Sequence, residues 1–146
     1  MSYIDTMKSA PYKPLTLSEK IEGRLSRKRD DVFLRADFKD LGGYDQVGVV
    51  MRKMVREGKL LKLGQGIYTR AQASIIDGRP VPVKTITPLM TEALGKIGVA
   101  TGPTRIERDY NEGRTTQVPS GRLIGVSRRV RRTLGYNGAT VSFERI

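Results

Sequence analysis

The chain contains neither cysteine nor histidine in its 146 residues. The lack of cysteine excludes disulfide bonds and cysteine metal sites. The lack of histidine removes the commonest general base and metal ligand, so a zinc finger and a serine–histidine triad are excluded as well. The paired carboxylates Asp30–Asp31 and Asp37–Asp40 flank predicted helix ends, where capping explains them. The sequence therefore predicts a protein that is not an enzyme and that needs neither a metal nor another cofactor.

Long apolar runs are also missing. No segment contains the roughly 18 consecutive apolar residues that a membrane-spanning helix needs. The N-terminal stretch MSYIDTMKSAPYKP has no apolar core of the kind found in signal peptides. We therefore expect a cytoplasmic protein without a membrane partner, and a nucleoid-associated one if its partner is DNA.

Positive charge is what the chain has in excess. It contains 27 Lys and Arg against 15 Asp and Glu, which gives a formal net charge of +12. The excess is shared between residues 16–70 and residues 71–146 and is not confined to a tail. A polyanionic partner, such as DNA, RNA or an anionic membrane surface, explains this balance, and a protein that is simply basic is the alternative.

The first half of the chain has the pattern of three helices followed by a hairpin. Thr16 and Glu19 form a T-x-x-E capping box, which predicts the start of the first helix. The spacing of apolar residues and glycines predicts the elements that follow, which are a strand at 32–34, a short helix at 35–41 with Ala36, Phe38 and Leu41 buried, a helix from about 44 to 57, and a glycine-turned hairpin at 59–70. This order is typical of a winged helix-turn-helix.

The helix predicted at about 44–57 is the candidate recognition helix, because it directly precedes the hairpin. A recognition helix enters the major groove and contacts bases mainly near its N-terminus. Gly48 either permits a close approach or serves packing, and both interpretations stay open. A solvated helix face is the alternative for Arg52, Lys53 and Arg56. Gly64 and Gly66 would let a backbone N–H approach a phosphate, and plain hairpin geometry is their alternative. The candidate DNA-binding residues of the helix and the hairpin are Tyr44, Gln46, Val49, Arg52, Lys53, Arg56, Lys62, Gln65 and Arg70.

The second half has the pattern of a small C-terminal domain, either α/β or mostly β, so the predicted fold class is α+β. It contains a predicted helix from Pro88 to Ile97, a glycine-rich polar stretch at 101–113, an Asn137-Gly138 hairpin turn, and candidate strands at 115–119, 122–126 and 139–145. The predicted organisation is a flexible arm at 1–15, a winged helix-turn-helix domain at 16–70, a connector at 71–86 in which RPVPVK is extended, and the C-terminal domain at 87–146.

A second basic patch lies between the last two predicted strands. It consists of Arg128, Arg129, Arg131 and Arg132. Direct phosphate contact, an acidic protein partner and a solvated loop would each account for these arginines, and charge density alone does not choose among them.

Several of these motifs resemble one known family. The segment VFLRADFKDLGGYDQVGVVMRKMVREGKLLKLGQGIYTR resembles the N-terminal winged helix of AbiEi-like antitoxins, the transcription-regulating halves of type IV toxin–antitoxin systems. The most telling motif is L-x-K-L-G-x-G-I-Y, from Leu60 to Tyr68. The segments PLMTEALGKIGVATGPT, TTQVPSGRLIGV and ATVSFER resemble the later helix and strands of the family in the right order. The resemblance implies an autoregulating DNA-binding protein and a cognate toxin of nucleotidyltransferase type, and it supports the regulator role better than the antitoxin role.

The sequence thus predicts a sequence-specific regulator of transcription that binds double-stranded DNA. It would act as an autorepressor on inverted repeats at its own promoter, either as a homodimer or through tandem wings. One alternative is a basic RNA- or ribosome-binding protein, which would favour exposed aromatic residues on strands, where only Tyr68, Tyr136 and Phe143 are available. The other is a plasmid- or phage-encoded inhibitor whose basic face meets an acidic protein.

Overall fold

The computed structural model describes residues 13–119 and 121–146, so most of the predicted N-terminal arm lies outside the described residues. The described residues form a mixed α+β fold with four α-helices, one 3-10 turn and several small sheets. In chain order the elements are α1 (Leu17–Arg27), β1 (Val32–Leu34), the 3-10 turn (Arg35–Phe38), α2 (Tyr44–Arg56), β2 (Leu60–Gly64), β3 (Ile67–Ala73), β4 (Pro80–Pro82), α3 (Ile86–Lys96), β5 (Thr101–Gly102), α4 (Arg105–Asn111), β6 (Leu123–Val126), β7 (Gly135–Tyr136), β8 (Ala139–Thr140) and β9 (Ser142–Arg145).

Helix α1 begins where the capping box predicts. The backbone N–H of Glu19 donates to Thr16 Oγ1 at 3.1 Å, and the backbone N–H of Thr16 donates to Glu19 Oε1 at 2.8 Å. These two bonds satisfy backbone donors that a helix start otherwise leaves free, and the bond from the Thr16 backbone N–H lowers the pKa of the Glu19 carboxyl. The helix buries Ile21 on its inner side.

The predicted second helix is shorter than its sequence pattern suggests. Only Arg35–Phe38 is helical, as a 3-10 turn, and Ala36 is exposed while Phe38 is fully buried. The Asp37 carboxylate accepts a hydrogen bond from the backbone N–H of Leu34 at 2.9 Å and fixes the start of the turn. A run this short between a strand and the Gly42-Gly43 break favours the tighter 3-10 geometry, which explains the difference.

The first sheet has both faces covered. Its strands have the order β1-β3-β2 with antiparallel pairing, and the predicted hairpin is the β2–β3 pair. Because successive strand residues point to opposite faces, the neighbours Val32 and Phe33 enter different cores. Phe33 packs with residues of α1 and α2, whereas Val32 packs with residues of α3 and of the later strands.

The segment predicted as an extended connector belongs partly to this sheet. Strand β3 continues to Ala73, and β4 pairs with it antiparallel, so that Ala73 lies opposite Pro80. Both prolines of β4 are tolerated because the strand lies at the edge of the sheet. The extended conformation predicted for RPVPVK is confirmed at Pro80–Pro82, whereas residues 75–77 form a turn. The pairing with β3 is the feature that the sequence did not reveal.

The second half differs from its prediction at four places. The single strand predicted at 139–145 is two short strands, β8 and β9, which belong to different sheets. Helix α3 begins at Ile86, two residues before the predicted Pro88. The stretch at 101–113 contains β5 and the helix α4, which begins at a second capping box formed by Thr104 and Glu107. No strand forms at 115–119 among the described residues. The Asn137-Gly138 turn between β7 and β8 is present, with positive φ at both residues.

The two halves of the chain share a core. Val32, Leu63 and Ile67 of the first sheet are buried in one cluster with residues that come from the second half, which are Leu89, Met90, Ala93, Leu94, Val99, Ile124, Val126, Leu134 and Val141. The Glu92 carboxylate of α3 also accepts backbone N–H bonds from Asp31 and Val32, both at 2.9 Å. The start of β1 is therefore fixed by apolar and by polar contacts to α3.

Candidate nucleic-acid interface

Helix α2 has a buried face and an exposed face, as its sequence predicts. Val47, Met51 and Met54 are buried against the first sheet and α1. The candidate DNA contacts on this helix are all exposed. They are Tyr44, Gln46, Val49, Arg52, Lys53 and Arg56. Val49 is 55% exposed, so its side chain is accessible on this face.

The positive charges of this exposed face are not neutralised within the described part of the chain. No described carboxylate lies within salt-bridge distance of Arg52, Lys53 or Arg56. By contrast, Arg24, Lys59, Lys84 and Lys96 each form an ion pair. The face of α2 therefore carries uncompensated positive charge at the surface of the described structure.

Arg35 fixes the N-terminal end of α2, and sequence analysis did not single it out. Its guanidinium lies over the Tyr44 ring, 3.8 Å from the ring centroid, and its Nε donates to the Tyr44 carbonyl at 2.8 Å. Arg35 Nη2 also lies 3.6 Å from the Asp45 carboxylate. Because the Arg35 side chain is only 17% exposed, it positions Tyr44 and the first turn of α2 and contributes little surface of its own. An arginine at the start of a short turn carries no sequence signal for this role.

The structure explains Gly48 by packing. A Cβ atom at this position would overlap the guanidinium of Arg35. The glycine is buried and lies on the side of α2 that faces the 3-10 turn. The close approach that Gly48 permits is therefore that of Arg35, and this contact accounts for a residue with poor helix propensity inside the helix.

The turn of the β2–β3 hairpin lies near the start of α2. Lys62 and Gln65 are exposed, as predicted. The backbone N–H of Arg35 donates to the Gly66 carbonyl at 2.9 Å, which ties the hairpin turn to the 3-10 turn. The hairpin turn and the N-terminal end of α2 are thus both attached to Arg35, one through its backbone and the other through its side chain.

Arg70 does not belong to the exposed surface on which sequence analysis placed it. Its Nη2 donates to the carbonyls of Leu25, at 2.6 Å, and of Lys28, which lie at the C-terminal end of α1. The guanidinium also lies over the Phe33 ring, 4.9 Å from the centroid. The reason is that alternate residues of β3 face α1, where free carbonyls at a helix end attract a cation. We therefore leave Arg70 out of the candidate interface.

The four arginines of the second basic patch are exposed in the segment that connects β6 and β7. We call residues 128–132 the arginine loop. Arg128 Nη2 lies 3.3 Å from the Ile97 carbonyl, and Arg132 Nη1 lies 3.3 Å from the Gln65 carbonyl. The loop thus reaches from the C-terminal end of α3 to the turn of the β2–β3 hairpin.

The paired carboxylates take part in ion pairs and caps within the fold. Asp40 binds Arg24 through two bonds of 2.6 and 2.7 Å, which lowers the pKa of its carboxyl to about 2. Asp30 pairs with Lys96 at 2.5 Å, and this bond lowers the Asp30 pKa. Asp31 pairs with Lys84, also at 2.5 Å. Among residues 13–119 and 121–146, no group of three or more carboxylates is arranged to hold a metal ion.

Comparisons of the chain with models of protein families, with curated proteins and with solved structures find no match. No helix among the described residues has the length and apolar character needed to cross a membrane. Arguments about function therefore depend on the residues and on the geometry described above.

Proposed function

We propose that the protein is a sequence-specific regulator of transcription that binds double-stranded DNA through a winged helix-turn-helix. The observation that carries this proposal is the exposed face of α2, where uncompensated positive charge lies beside a glutamine and an exposed valine. In this arrangement α2 is the recognition helix, the 3-10 turn takes the place of the helix before it, and the β2–β3 hairpin is the wing.

The dimensions of α2 suit the major groove. Its 13 residues give a length of about 20 Å at 1.5 Å per residue, and the groove is about 12 Å wide. The attachment of the wing turn to Arg35 keeps the wing beside the N-terminal end of α2. A duplex that receives this end of the helix would therefore bring phosphates close to Lys62 and Gln65.

Each candidate DNA-binding residue of α2 fits a recognised contact. Gln46, in the first turn, suits a bidentate contact to adenine, and Val49 suits a thymine methyl group. Arg52 suits guanine or phosphate, while Lys53 and Arg56 suit phosphates farther along the groove. The hydroxyl and one ring face of Tyr44 are available to a phosphate or sugar, since Arg35 covers the other ring face.

The burial of the aromatic residues supports DNA over RNA as the nucleic acid. Stacking of unpaired bases needs exposed aromatic rings on strands. Tyr68 is 3% exposed and packs in the core with α1 and α2, while Tyr136 and Phe143 pack partly against the core that the two halves share. These three residues are the aromatics on which the RNA-binding alternative depended.

The regulatory context remains a proposal from the family resemblance. By that resemblance the protein acts on inverted repeats at its own promoter in the cytoplasm, bound to the nucleoid. A homodimer would match the symmetry of such repeats. Pairing with a toxin of nucleotidyltransferase type stays a prediction, which co-expression of the two proteins would test through relief of growth arrest.

Replacement of Arg52 by alanine tests the recognition role of α2. If Arg52 contacts a guanine, we expect Arg52→Ala to lower the affinity for the operator by about 1–3 kcal/mol and to relax base preference at one position. The measurement is a competition among operator duplexes that differ by single base pairs. Lys20→Ala is the matched control, because Lys20 is an exposed, unpaired lysine of α1 in the described structure. Unchanged affinity and base preference in Arg52→Ala would contradict the assignment of Arg52 to a base contact.

A further inference from the structure

The arginine loop is attached to the wing by a buried anchor. Leu134, two residues after the loop, is fully buried, and Val130 within the loop packs partly against the same core. A Cβ atom on Gly64 of β2 would lie 2.7 Å from Leu134 Cδ2, so the glycine lets the two segments approach. The apolar positions 130 and 134 point inward, and the arginines on both sides of Val130 are left on the outside.

The loop and the recognition helix border the same groove. An open groove of about 540 Å³ is lined by Tyr44, Gln65, Arg132 and Thr133. Tyr44 is the first residue of α2, Gln65 is in the wing turn, and Arg132 belongs to the arginine loop. The second basic patch, which is distant in sequence, is therefore continuous with the candidate DNA surface.

The loop carries positive charge that the fold does not neutralise. All four arginines are exposed, and no described carboxylate lies within salt-bridge distance of any of them. Their hydrogen bonds to the carbonyls of Ile97 and Gln65 orient two of the guanidinium groups without compensating their charge. Guanidinium groups in such a row suit phosphates, each of which they can bind through two parallel hydrogen bonds.

We propose that the arginine loop binds the phosphate backbone of the same DNA duplex, next to the wing, and extends the contact beyond the bases that α2 reads. The inference rests on the proposed function, since it takes the position of the duplex from α2 and the wing. Arg132 and Arg131 bind the phosphates nearest the wing, and Arg128 and Arg129 bind those farther from it. The partner is the duplex and not an acidic protein, because the loop borders the groove that begins at Tyr44 and Gln65.

The test is the salt dependence of DNA binding by paired variants. Removal of phosphate contacts lowers the slope of log affinity against log salt concentration by about 0.9 per contact, so Arg131→Gln/Arg132→Gln should lower it by about 1.8. The matched control is Arg105→Gln/Arg108→Gln, which removes the same charge from two exposed and unpaired arginines of α4 among the described residues. Arg131→Lys/Arg132→Lys retains the charge and should keep the slope close to that of the unmodified protein.

The titrations use a labelled duplex from the region upstream of the protein's own gene and a random duplex of equal length. The loop variant should lose the same factor of affinity on both, because phosphate contacts carry no base information. A slope that is unchanged in the loop variant, or lowered equally in the α4 control, overturns the proposal and assigns the loop to an acidic protein or to solvent. The ratio of affinities for the two duplexes reports on the proposed function separately, since it depends on α2 and not on the loop.

Discussion

At the scale of single residues, exposure separates the basic side chains that are available to DNA from those that the fold uses. Arg52 and Arg70 have the same chemistry, yet Arg52 is exposed and unpaired in the described structure while Arg70 binds the carbonyls at the end of α1. Arg35 is intermediate between the two, because it is mostly buried and holds the first turn of α2 in place through Tyr44. These three arginines cannot be distinguished by residue type.

The inward position of Arg70 predicts a structural role. We expect Arg70→Ala to lower the free energy of unfolding by about 2 kcal/mol, because two carbonyls lose a charged donor. Urea denaturation would measure the loss, and Arg56→Ala, at an exposed position of α2, is the control with little expected change. The folded fraction of Arg70→Ala should keep the base preference of the unmodified protein. If Arg70→Ala keeps full stability and changes the base preference, Arg70 contacts DNA and the structural role is wrong.

At the scale of secondary-structure elements, Glu92 of α3 forms hydrogen bonds with the backbone at the start of β1. Its carboxylate accepts two backbone N–H bonds and also lies 3.9 Å from Lys84. We expect Glu92→Ala to lower the free energy of unfolding by about 2–3 kcal/mol, since it leaves two partly buried backbone donors without an acceptor. Thermal unfolding of this variant can be compared with that of Glu57→Ala, which removes an exposed carboxylate. Equal melting temperatures of the two variants would contradict the role of Glu92.

The pair of Arg24 and Asp40 joins α1 to the residues after the 3-10 turn, and it predicts a dependence of stability on pH. The folded-state pKa of Asp40 is about 2, below the ordinary value of 3.8, because Arg24 binds the ionised carboxylate. The stabilisation is therefore present above about pH 4 and is lost as the pH falls through about 2. We expect Asp40→Asn to show a shallower loss of stability between these two values than the unmodified protein. An identical acid dependence, measured by urea denaturation at each pH, would show that this pair does not contribute.

The elements that could be predicted from the sequence are those that depend on residues close together in the chain. Helix α1 and its capping box, the two faces of α2 and the Asn137-Gly138 turn depend on residues within a few positions of each other, and all were predicted from the sequence. Helix α4 had the same local signal in Thr104 and Glu107, which was overlooked. The inward turn of Arg70 and the role of Arg35 depend on contacts between segments that are distant in sequence, so no local pattern could reveal them.

At the scale of the whole molecule, the shared core predicts that the two halves unfold together. The first sheet buries one face against α1 and α2 and the other against α3 and β6. Residues 13–83 alone would expose Val32, Leu63 and Ile67, so we expect this fragment to lack a cooperative thermal transition. The full chain should unfold in a single transition by both circular dichroism and calorimetry. Two separate transitions, or a stably folded fragment, would show that the halves are independent domains.

The turn of the β2–β3 hairpin lies between the two basic surfaces. They form one continuous face that begins at α2, includes this turn and ends at the arginine loop. The fold places this face on the outside and fixes it through Arg35, Leu134 and the core beneath them. Sequence analysis identified the members of both patches, but the loop's contact with Gln65 depends on the three-dimensional structure.

The central claim is that this face selects particular DNA sequences, and one titration tests it most directly. Labelled duplex from the region upstream of the protein's own gene is titrated against random duplex of equal length, at two salt concentrations. Sequence-specific binding predicts a ratio of affinities above about 10³ that persists at the higher salt concentration, whereas both affinities fall. Equal and strongly salt-dependent binding to the two duplexes would contradict the claim, because net positive charge alone would then account for the interaction.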